Sequence, residues 1–331
     1  MDYKNIPLNT IPSPDDILDF PISKLVAQVN VFPDEFEILY NHDILNQGNI
    51  GCCVGFSIEG YCRSTTEEKQ TGKYQLFSPG FRYGLRDSDD YIGEGMYPRE
   101  ALDSGLHYGS VPYTVFPYNE EYPSVKTRIE KDKINLLKIA EPYKISAYCR
   151  LYIVDEIKNA LMQLGMVTIC IPVYESFYQV GSDGLVKNPN TTSEKLYGYH
   201  EVTIYGWYKD NKWKCLNSWS GSWGDKGRFY INFDFPIIES WSITDSIFEV
   251  HPEPEPEKQL YYRCQMGAFS IKQNCLNYQQ KILNETGFKS YIVFVDNLYK
   301  LQMNAFTIKQ NAINFSQQLK DMGYDNFIVY Y

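Results

Sequence analysis

Apolar residues follow helical spacing in the first part of the chain and strand spacing in the later part. After the Gly-punctuated loop 46–51, Val54, Ile58 and Tyr61 recur at helix spacing without a proline, which predicts a helix to about Thr71. Helices before strands predict an α+β fold, not an alternating β–α–β pattern. The other predicted elements are helices at 98–106 and 153–164 and strands at 167–173, 201–208, 213–216 and 228–233.

Two proline-containing stretches flank this region. Residues 1–32 contain four prolines, which predicts an irregular, short propeptide-like extension. Residues 251–258 alternate Pro and Glu, a composition that favours a solvated polyproline II linker. The first globular domain is therefore predicted at 33–250.

An internal repeat follows the linker. Residues 262–283 and 299–320 are identical at 11 of 22 positions, at an offset of 37 residues. Each copy has the pattern strand, helix, strand. Two such copies are too short to be separate domains, so they predict one βαββαβ module over 259–331, with a four-stranded antiparallel sheet.

Composition narrows the class of protein. Apolar residues make up 44% of the 331 residues, which is enough for a sizeable core. The net charge of −10 argues against binding nucleic acid through a basic surface, although residues 258–331 have eight basic and four acidic side chains. No apolar run is long enough for a membrane span, and no secretion signal is evident, so synthesis in the cytoplasm is expected.

Cysteine and histidine spacing gives little support to metal binding. The eight cysteines include no Cys-x-x-Cys pair, and the four histidines are far apart in sequence. Reduced thiols, no metal and no cofactor are therefore expected.

One cysteine pair has the position of a nucleophile. Cys52 and Cys53 lie where the loop enters the predicted helix, and the positive end of a helix favours the thiolate form. A merely buried cysteine would also suit this position. Two later segments add to the first: His200 begins an apolar strand, and Asn217 follows another strand before a loop rich in Trp and Gly.

Together these segments resemble the papain-like cysteine peptidases, in the order Gln, Cys, His, Asn. His200 is 147 residues after Cys53 and Asn217 is 164 after it, close to the roughly 130–150 of that family. Gln47 lies six residues before Cys53, and Cys52 takes the place of the family's small residue, so the resemblance favours Cys53 as nucleophile. It also implies a two-lobed fold, with a helical left lobe and a β-barrel-like right lobe.

The resemblance implies roles for particular residues. His200 would pair with Cys53 and protonate the leaving amine, and Asn217 would orient His200. Gln47 would hold the oxyanion together with the Cys53 backbone N–H. Four further residues would line the substrate cleft or shield the triad: Gly95, Met96, Tyr199 and Trp219.

The C-terminal repeat resembles the SPOR domain (sporulation-related repeat). That resemblance implies binding to peptidoglycan glycan strands, for which amides and aromatic rings on a sheet are suitable chemistry. The candidate glycan-binding residues are Gln265, Gln302, Tyr262, Tyr299 and Asn304.

The combined prediction is a cysteine endopeptidase that forms a thioester acyl-enzyme and is held at the bacterial cell wall or spore envelope. Its partners would be a protein or peptide substrate and glycan strands, without nucleic acid. Two alternatives stay open: an inactive scaffold of the same fold, and a stem-peptide hydrolase or transpeptidase that uses the same triad.

Overall fold

A computed structural model describes residues 3–14, 16, 19–29, 31–86, 95–118, 122–245 and 261–330. Internal contacts divide the chain into two units, Met1–Glu249 and Val250–Tyr331. Each unit is described by itself. The linker predicted at 251–258 lies outside the described residues.

A long helix forms the centre of the first unit. It begins as α1 (Cys53–Gly55), continues through a π-helical segment (Phe56–Arg63) and ends as α2 (Ser64–Thr71), as the sequence predicts. Gly72 ends it with a left-handed φ of 70°. Further helices surround it: α3 (Pro79–Gly84), α4 (Pro98–Tyr108) and α5 (Tyr122–Ala140).

A seven-stranded antiparallel sheet packs against this helix. Its order is β2-β7-β3-β4-β5-β6, and β1 pairs with β4. The order leaves β2 and β6 at opposite edges, so the right lobe is an open sheet and not a closed barrel. The strands are β1 (Phe36–Glu37), β2 (Ala147–Leu151), β3 (Val167–Tyr174), β4 (Leu196–Tyr208), β5 (Lys212–Leu216), β6 (Arg228–Asn232) and β7 (Glu239–Thr244). Helices α6 (Val154–Gln163) and α7 (Glu175–Tyr178) complete the unit.

A buried hydroxyl cluster joins the helix to the sheet. Ser57 Oγ lies 2.7 Å from Thr168 Oγ1 on β3 and 2.6 Å from Thr203 Oγ1 on β4. Such short hydrogen bonds fix the rotation of the helix relative to the strands. Cys53, one turn before Ser57, is thereby held near β4, the strand that contains His200.

The second unit is the predicted βαββαβ module. Its sheet order is β11-β8-β10-β9, and every described pairing is antiparallel. The two copies of the repeat also share a backbone conformation, because Gly267 and Asn304 occupy equivalent positions and both have positive φ, 68° and 53°. Its elements are β8 (Tyr262–Phe269), α8 (Lys272–Thr286), β9 (Tyr291–Val295), β10 (Leu298–Phe306), α9 (Lys309–Asp321) and β11 (Phe327–Tyr330).

Alternate side chains of this small sheet face its two helices. Cys264, Met266, Leu301 and Met303 are fully buried in the module's core. Because successive side chains point to opposite faces of a strand, Gln265 and the other residues between them lie on the face away from the helices.

Candidate active site

The two adjacent cysteines face different surroundings. Cys53 is the first residue of α1, and its Sγ lies 3.1 Å from Thr10 Oγ1. Cys52 precedes the helix, and its thiol donates to Pro79 O over 3.6 Å. Cys52 is therefore packed against the helical lobe, and Cys53 points to the chain that crosses the cleft.

His200 is paired with Asn217. His200 Nε2 lies 2.8 Å from Asn217 Oδ1, and both side chains are fully buried. The Ser218 backbone N–H donates to the same Oδ1 over 2.8 Å, which identifies that atom as the amide oxygen. Asn217 must then accept from His200, so the Nε2 position of the ring carries the proton.

The other ring nitrogen of His200, Nδ1, makes no hydrogen bond to the described residues. This nitrogen is also buried. Burial lowers the pKa of His200 to about 4, against a smaller opposing effect of the Asn217 hydrogen bond. At neutral pH the ring is therefore neutral, with a free lone pair on Nδ1.

Aromatic rings enclose this pair. Trp219 lies over the His200 ring, with centroids 4.9 Å apart, and Phe177 approaches it edge-on at 6.4 Å. Tyr3 and Tyr178 stack on Trp219 in turn. Trp219 thus covers the His200 ring and has no exposed surface of its own.

Gln47 is held in a fixed orientation. Its Oε1 accepts from Ser218 Oγ at 2.7 Å, so its amide nitrogen faces the other way. That nitrogen donates to Ile50 O at 2.9 Å and to Pro7 O at 3.3 Å. An amide donor of the proposed oxyanion site is therefore directed at a carbonyl of the N-terminal extension.

The N-terminal segment comprises the described residues between 3 and 29, and its part from Pro7 to Ser13 lies over these groups. Thr10 contacts the Cys53 thiol, and Pro7 contacts Gln47. Cys53 and His200 have no exposed surface beneath it. The predicted extension is thus ordered at these positions, and it covers the site.

The segment pairs with the predicted floor of the cleft. Met96 N–H donates to Asn9 O, and Ile11 N–H donates to Met96 O, both at 3.1 Å. Gly95 has a φ of +121°, and a Cβ there would lie 2.5 Å from Asn9 O, so only glycine permits this approach.

Tyr199 is the remaining residue predicted to line the cleft. Its carbonyl accepts from Thr10 N–H at 3.3 Å. All four predicted cleft residues therefore lie around the path of the segment, although Trp219 contacts it through Tyr3 and not through the backbone.

A carboxylate anchors the far end of the segment. Asp19 Oδ2 accepts from Arg99 at 2.7 Å and from Arg150 at 2.8 Å, and Asp19 Oδ1 accepts a further bond from Arg99. The Asp19 side chain is 3% exposed. A buried carboxylate between two guanidinium groups is a strong and directional contact.

The five predicted glycan-binding residues have very different exposure. Gln265 and Gln302 lie opposite each other in the register, with Gln302 Nε2 3.3 Å from Gln265 Oε1, and both are buried. Tyr262 stacks on Tyr330, and Tyr299 packs against the core on the helix side. Only Asn304 is exposed.

Two aromatic residues flank the buried amides, and the sequence analysis missed them. Phe327 pairs with Gln265, and Tyr291 pairs with Gln302. One row across the sheet therefore reads Phe327, Gln265, Gln302, Tyr291. Phe327 is 56% exposed. Side chains alternate between the two faces of a strand, so the aromatic positions of the short strands β9 and β11 were the sequence signal that could have found them.

Within the described residues, no group of three or more His, Cys, Asp or Glu side chains is arranged to hold a metal ion. All eight cysteines are buried, and none of them forms a disulfide bond. No described helix has both the length and the hydropathy of a membrane span.

Comparison with known proteins agrees with this geometry. Residues 37–236 match the family model of the papain family cysteine proteases. The chain belongs to the papain family. Residues 260–330 match the SPOR domain, so the C-terminal module is a SPOR domain.

Members of the papain family from animals are similar in sequence to the first unit. Cathepsin B-like cysteine proteinase 1 of Haemonchus contortus is 32% identical over 222 residues, which is 57% of this chain and 63% of the relative. Cathepsin B-like cysteine proteinase 5 of Caenorhabditis elegans is 36% identical over 234 residues. The chain spans less than two thirds of the length of these relatives.

A bacterial papain-family structure shares the fold. Xylellain, a cysteine protease from Xylella fastidiosa, superposes with a TM-score of 0.62 at 21% identity, over 73% of this chain and 97% of that one. The superposition therefore covers more of this chain than the 200 residues that match the family model.

Sequence reasoning did not identify the groups that contact the site from the N-terminal segment. Thr10, Asn9 and Pro7 lie in a stretch without periodicity, so no local pattern marks their position. Glu201 was also missed, although a charged residue inside an apolar strand was a visible signal.

Proposed function

We propose that the chain is a cysteine endopeptidase in which Cys53 is the nucleophile, His200 the general acid and base, and Asn217 the orienting residue. The observation that best supports this is the buried His200–Asn217 hydrogen bond, which leaves Nδ1 of a neutral imidazole unpaired next to the helix that begins at Cys53. A Cys–His–Asn arrangement of this kind suits acyl transfer.

Acylation begins when His200 Nδ1 takes the Cys53 proton. The thiolate attacks the carbonyl carbon of the scissile bond, and the Gln47 amide with the Cys53 backbone N–H stabilises the oxyanion. His200 then gives its proton to the leaving amine, and a thioester remains on Cys53.

Deacylation reverses the roles of the two groups. His200 Nδ1 takes a proton from water, the hydroxide attacks the thioester carbonyl, and the Cys53 thiol is restored with a free carboxylic acid as product. Asn217 holds the ring in one tautomer and orientation throughout, because its Oδ1 is an acceptor and therefore requires the proton on Nε2.

The N-terminal segment is proposed to keep this site latent. The atom it presents to Cys53 is the Thr10 hydroxyl, which has no acyl carbon to attack. Pro7 O occupies the Gln47 amide at the same time. Turnover therefore requires that the segment leave the cleft.

The SPOR domain is proposed to bind peptidoglycan glycan strands and hold the peptidase at the bacterial cell wall. Phe327 and Tyr291 on the sheet face are suitable platforms for sugar rings, while the buried Gln265–Gln302 pair fixes the strands between them. The domain's excess of basic residues suits an anionic wall.

The test is hydrolysis of fluorogenic peptide amides by the full chain, both uncut and cut at a protease recognition sequence inserted after Val31, which is 83% exposed. Cys53→Ala is expected to abolish turnover and labelling by an epoxide inhibitor. Cys52→Ala is the matched control, since its thiol faces Pro79, and we expect it to retain turnover.

The outcomes separate the alternatives. No turnover and no labelling of Cys53 in the cut chain would indicate an inactive scaffold. Products joined to an added amine would indicate transpeptidation. Cleavage of purified stem peptides but not of protein substrates would indicate a wall hydrolase.

A further inference from the structure

Two buried glutamates lie side by side on the sheet. Cys170 of β3 pairs in register with Glu201 of β4 on one side and with Glu239 of β7 on the other. Residues paired across strands share a face of the sheet, so the two carboxyl groups flank the Cys170 thiol. Glu201 is 1% exposed and Glu239 is 4% exposed.

This acidic pair, Glu201 with Glu239, lies at the cleft. Glu201 directly follows His200, the proposed general base, on β4. Ser13 N–H of the N-terminal segment donates to Glu239 Oε1 at 2.8 Å. The segment therefore passes from Cys53 at Thr10 to the acidic pair at Ser13, only three residues later.

Glu201 lacks one of the partners that a buried carboxylate needs, whereas the Arg150 guanidinium is near enough to favour the charged form of Glu239. Glu201 Oε1 accepts from Thr168 Oγ1 at 2.6 Å, but its Oε2 has no hydrogen-bond partner within the described part of the chain. Burial and the neighbouring Glu239 carboxyl raise the pKa of Glu201 well above its ordinary value. Two adjacent like charges in a buried site are unfavourable unless a cation lies between them.

Glu239 depends on the N-terminal segment for one of its donors. Its Oε2 accepts from Trp241 Nε1 at 2.7 Å, and its Oε1 accepts from the Ser13 backbone N–H. When the segment leaves, Oε1 loses this donor while Glu201 Oε2 still has none. The vacated groove then presents two unsatisfied carboxyl oxygens beside the path of a peptide.

We propose that Glu201 and Glu239 form a specificity subsite that binds the ammonium or guanidinium group of a substrate side chain. This inference rests on the proposed peptidase function and names its substrate class: peptides with lysine, arginine or a similar diamino acid near the scissile bond. A cation satisfies both carboxyl groups at once, whereas an apolar side chain leaves them unpaired.

The test compares matched fluorogenic peptides in which one position at a time is lysine or norleucine, its uncharged analogue of similar length. We expect the full chain, cut after Val31 so that the segment can leave, to prefer lysine at one position. In Glu201→Gln and Glu239→Gln the lysine-to-norleucine ratio of kcat/KM should fall roughly 10- to 100-fold. Glu130→Gln removes an exposed carboxylate on α5 and should leave the ratio unchanged.

A binding measurement separates this subsite from catalysis. The same peptides are titrated into Cys53→Ala, with and without Asp19→Ala to loosen the segment. Selective binding of the lysine peptide without any turnover in the cut wild-type chain would overturn the peptidase proposal but support the subsite. Equal binding of both peptides, no binding in either background, or an unchanged ratio in both Gln variants would overturn the subsite.

Discussion

A single histidine shows how strongly the covering segment changes the site's chemistry. His200 is fully buried, and burial lowers its pKa to about 4. An imidazolium is needed to stabilise a thiolate, so the covered site disfavours the ion pair that a cysteine nucleophile requires. In the latent state that we propose, the segment acts through dehydration of His200 as well as through steric exclusion.

The lowered pKa predicts a pH-dependent stability. The unfolded chain takes up a proton at His200 below about pH 6.5, whereas the folded chain does so only near pH 4. Wild type should therefore lose about 3 kcal/mol relative to His200→Gln as the pH falls from 6.5 to 4. Denaturant unfolding at several pH values measures the difference. The exposed-site variant His107→Gln is the control, and parallel curves for wild type and His200→Gln would contradict the prediction.

Among the elements, the N-terminal segment depends most on one anchor. Asp19 bonds to both Arg99 and Arg150, and removing one partner of a buried ion pair typically costs about 3–5 kcal/mol. The segment also buries Ile6 and Ile22 in the hydrophobic core. Its other polar contacts are mostly single hydrogen bonds, each worth about 1 kcal/mol, so Asp19 makes its strongest polar contact. The Asp19 contact should therefore decide how often the segment is released.

Asp19→Asn is expected to raise the activity of the uncut chain at least about tenfold, because every 1.4 kcal/mol lost by the covered state is a factor of ten in release. Hydrolysis of a small fluorogenic peptide measures this. Asp16→Asn removes an exposed carboxylate of the same segment and serves as the matched control. Equal rates for the two variants would show that Asp19 does not hold the segment.

Element prediction succeeded where local pattern decides and failed where tertiary packing decides. The helix from Cys53 was predictable because its apolar residues recur at helix spacing. Strands β2 and β7 were missed because Ala147–Leu151 and Glu239–Thr244 mix polar and apolar residues, and the sheet buries both kinds. Helix α5 was missed because it is largely charged and has non-helical dihedrals at Asp132.

The same division between local pattern and tertiary packing applies to the candidate active site. Gln47, Cys53, His200 and Asn217 were selected by their order and spacing, which a family resemblance records. The contact between Thr10 and Cys53 joins residues 43 apart without any shared pattern. The burial of Gln265 and Gln302 was likewise hidden, because alternation gives the face of a strand but not what covers it.

At the scale of the whole molecule, the chain joins a papain-family unit to a SPOR domain, and each has its own hydrophobic core. Two separate cores predict two separable functions, since a change on the surface of one unit leaves the packing of the other intact.

Phe327→Ala should weaken binding to stem-peptide-free glycan strands roughly tenfold and leave kcat/KM on small peptides unchanged, because Phe327 is 56% exposed and lies in the SPOR domain. Cys53→Ala should do the reverse. Sedimentation with purified glycan strands and the fluorogenic assay give the two readouts. Loss of peptide hydrolysis in Phe327→Ala would show that the units are coupled.

Because the N-terminal segment is covalently attached, its effective concentration at the cleft is on the order of 1 mM, whatever the protein concentration. A segment with an intrinsic dissociation constant near 0.1 mM would then fill about nine clefts in ten. One cut near the exposed Val31 would leave every contact in place, yet at nanomolar protein the freed peptide would diffuse away. Dilution after a single cleavage would then suffice to make activation irreversible. No tight inhibitor would have to be destroyed.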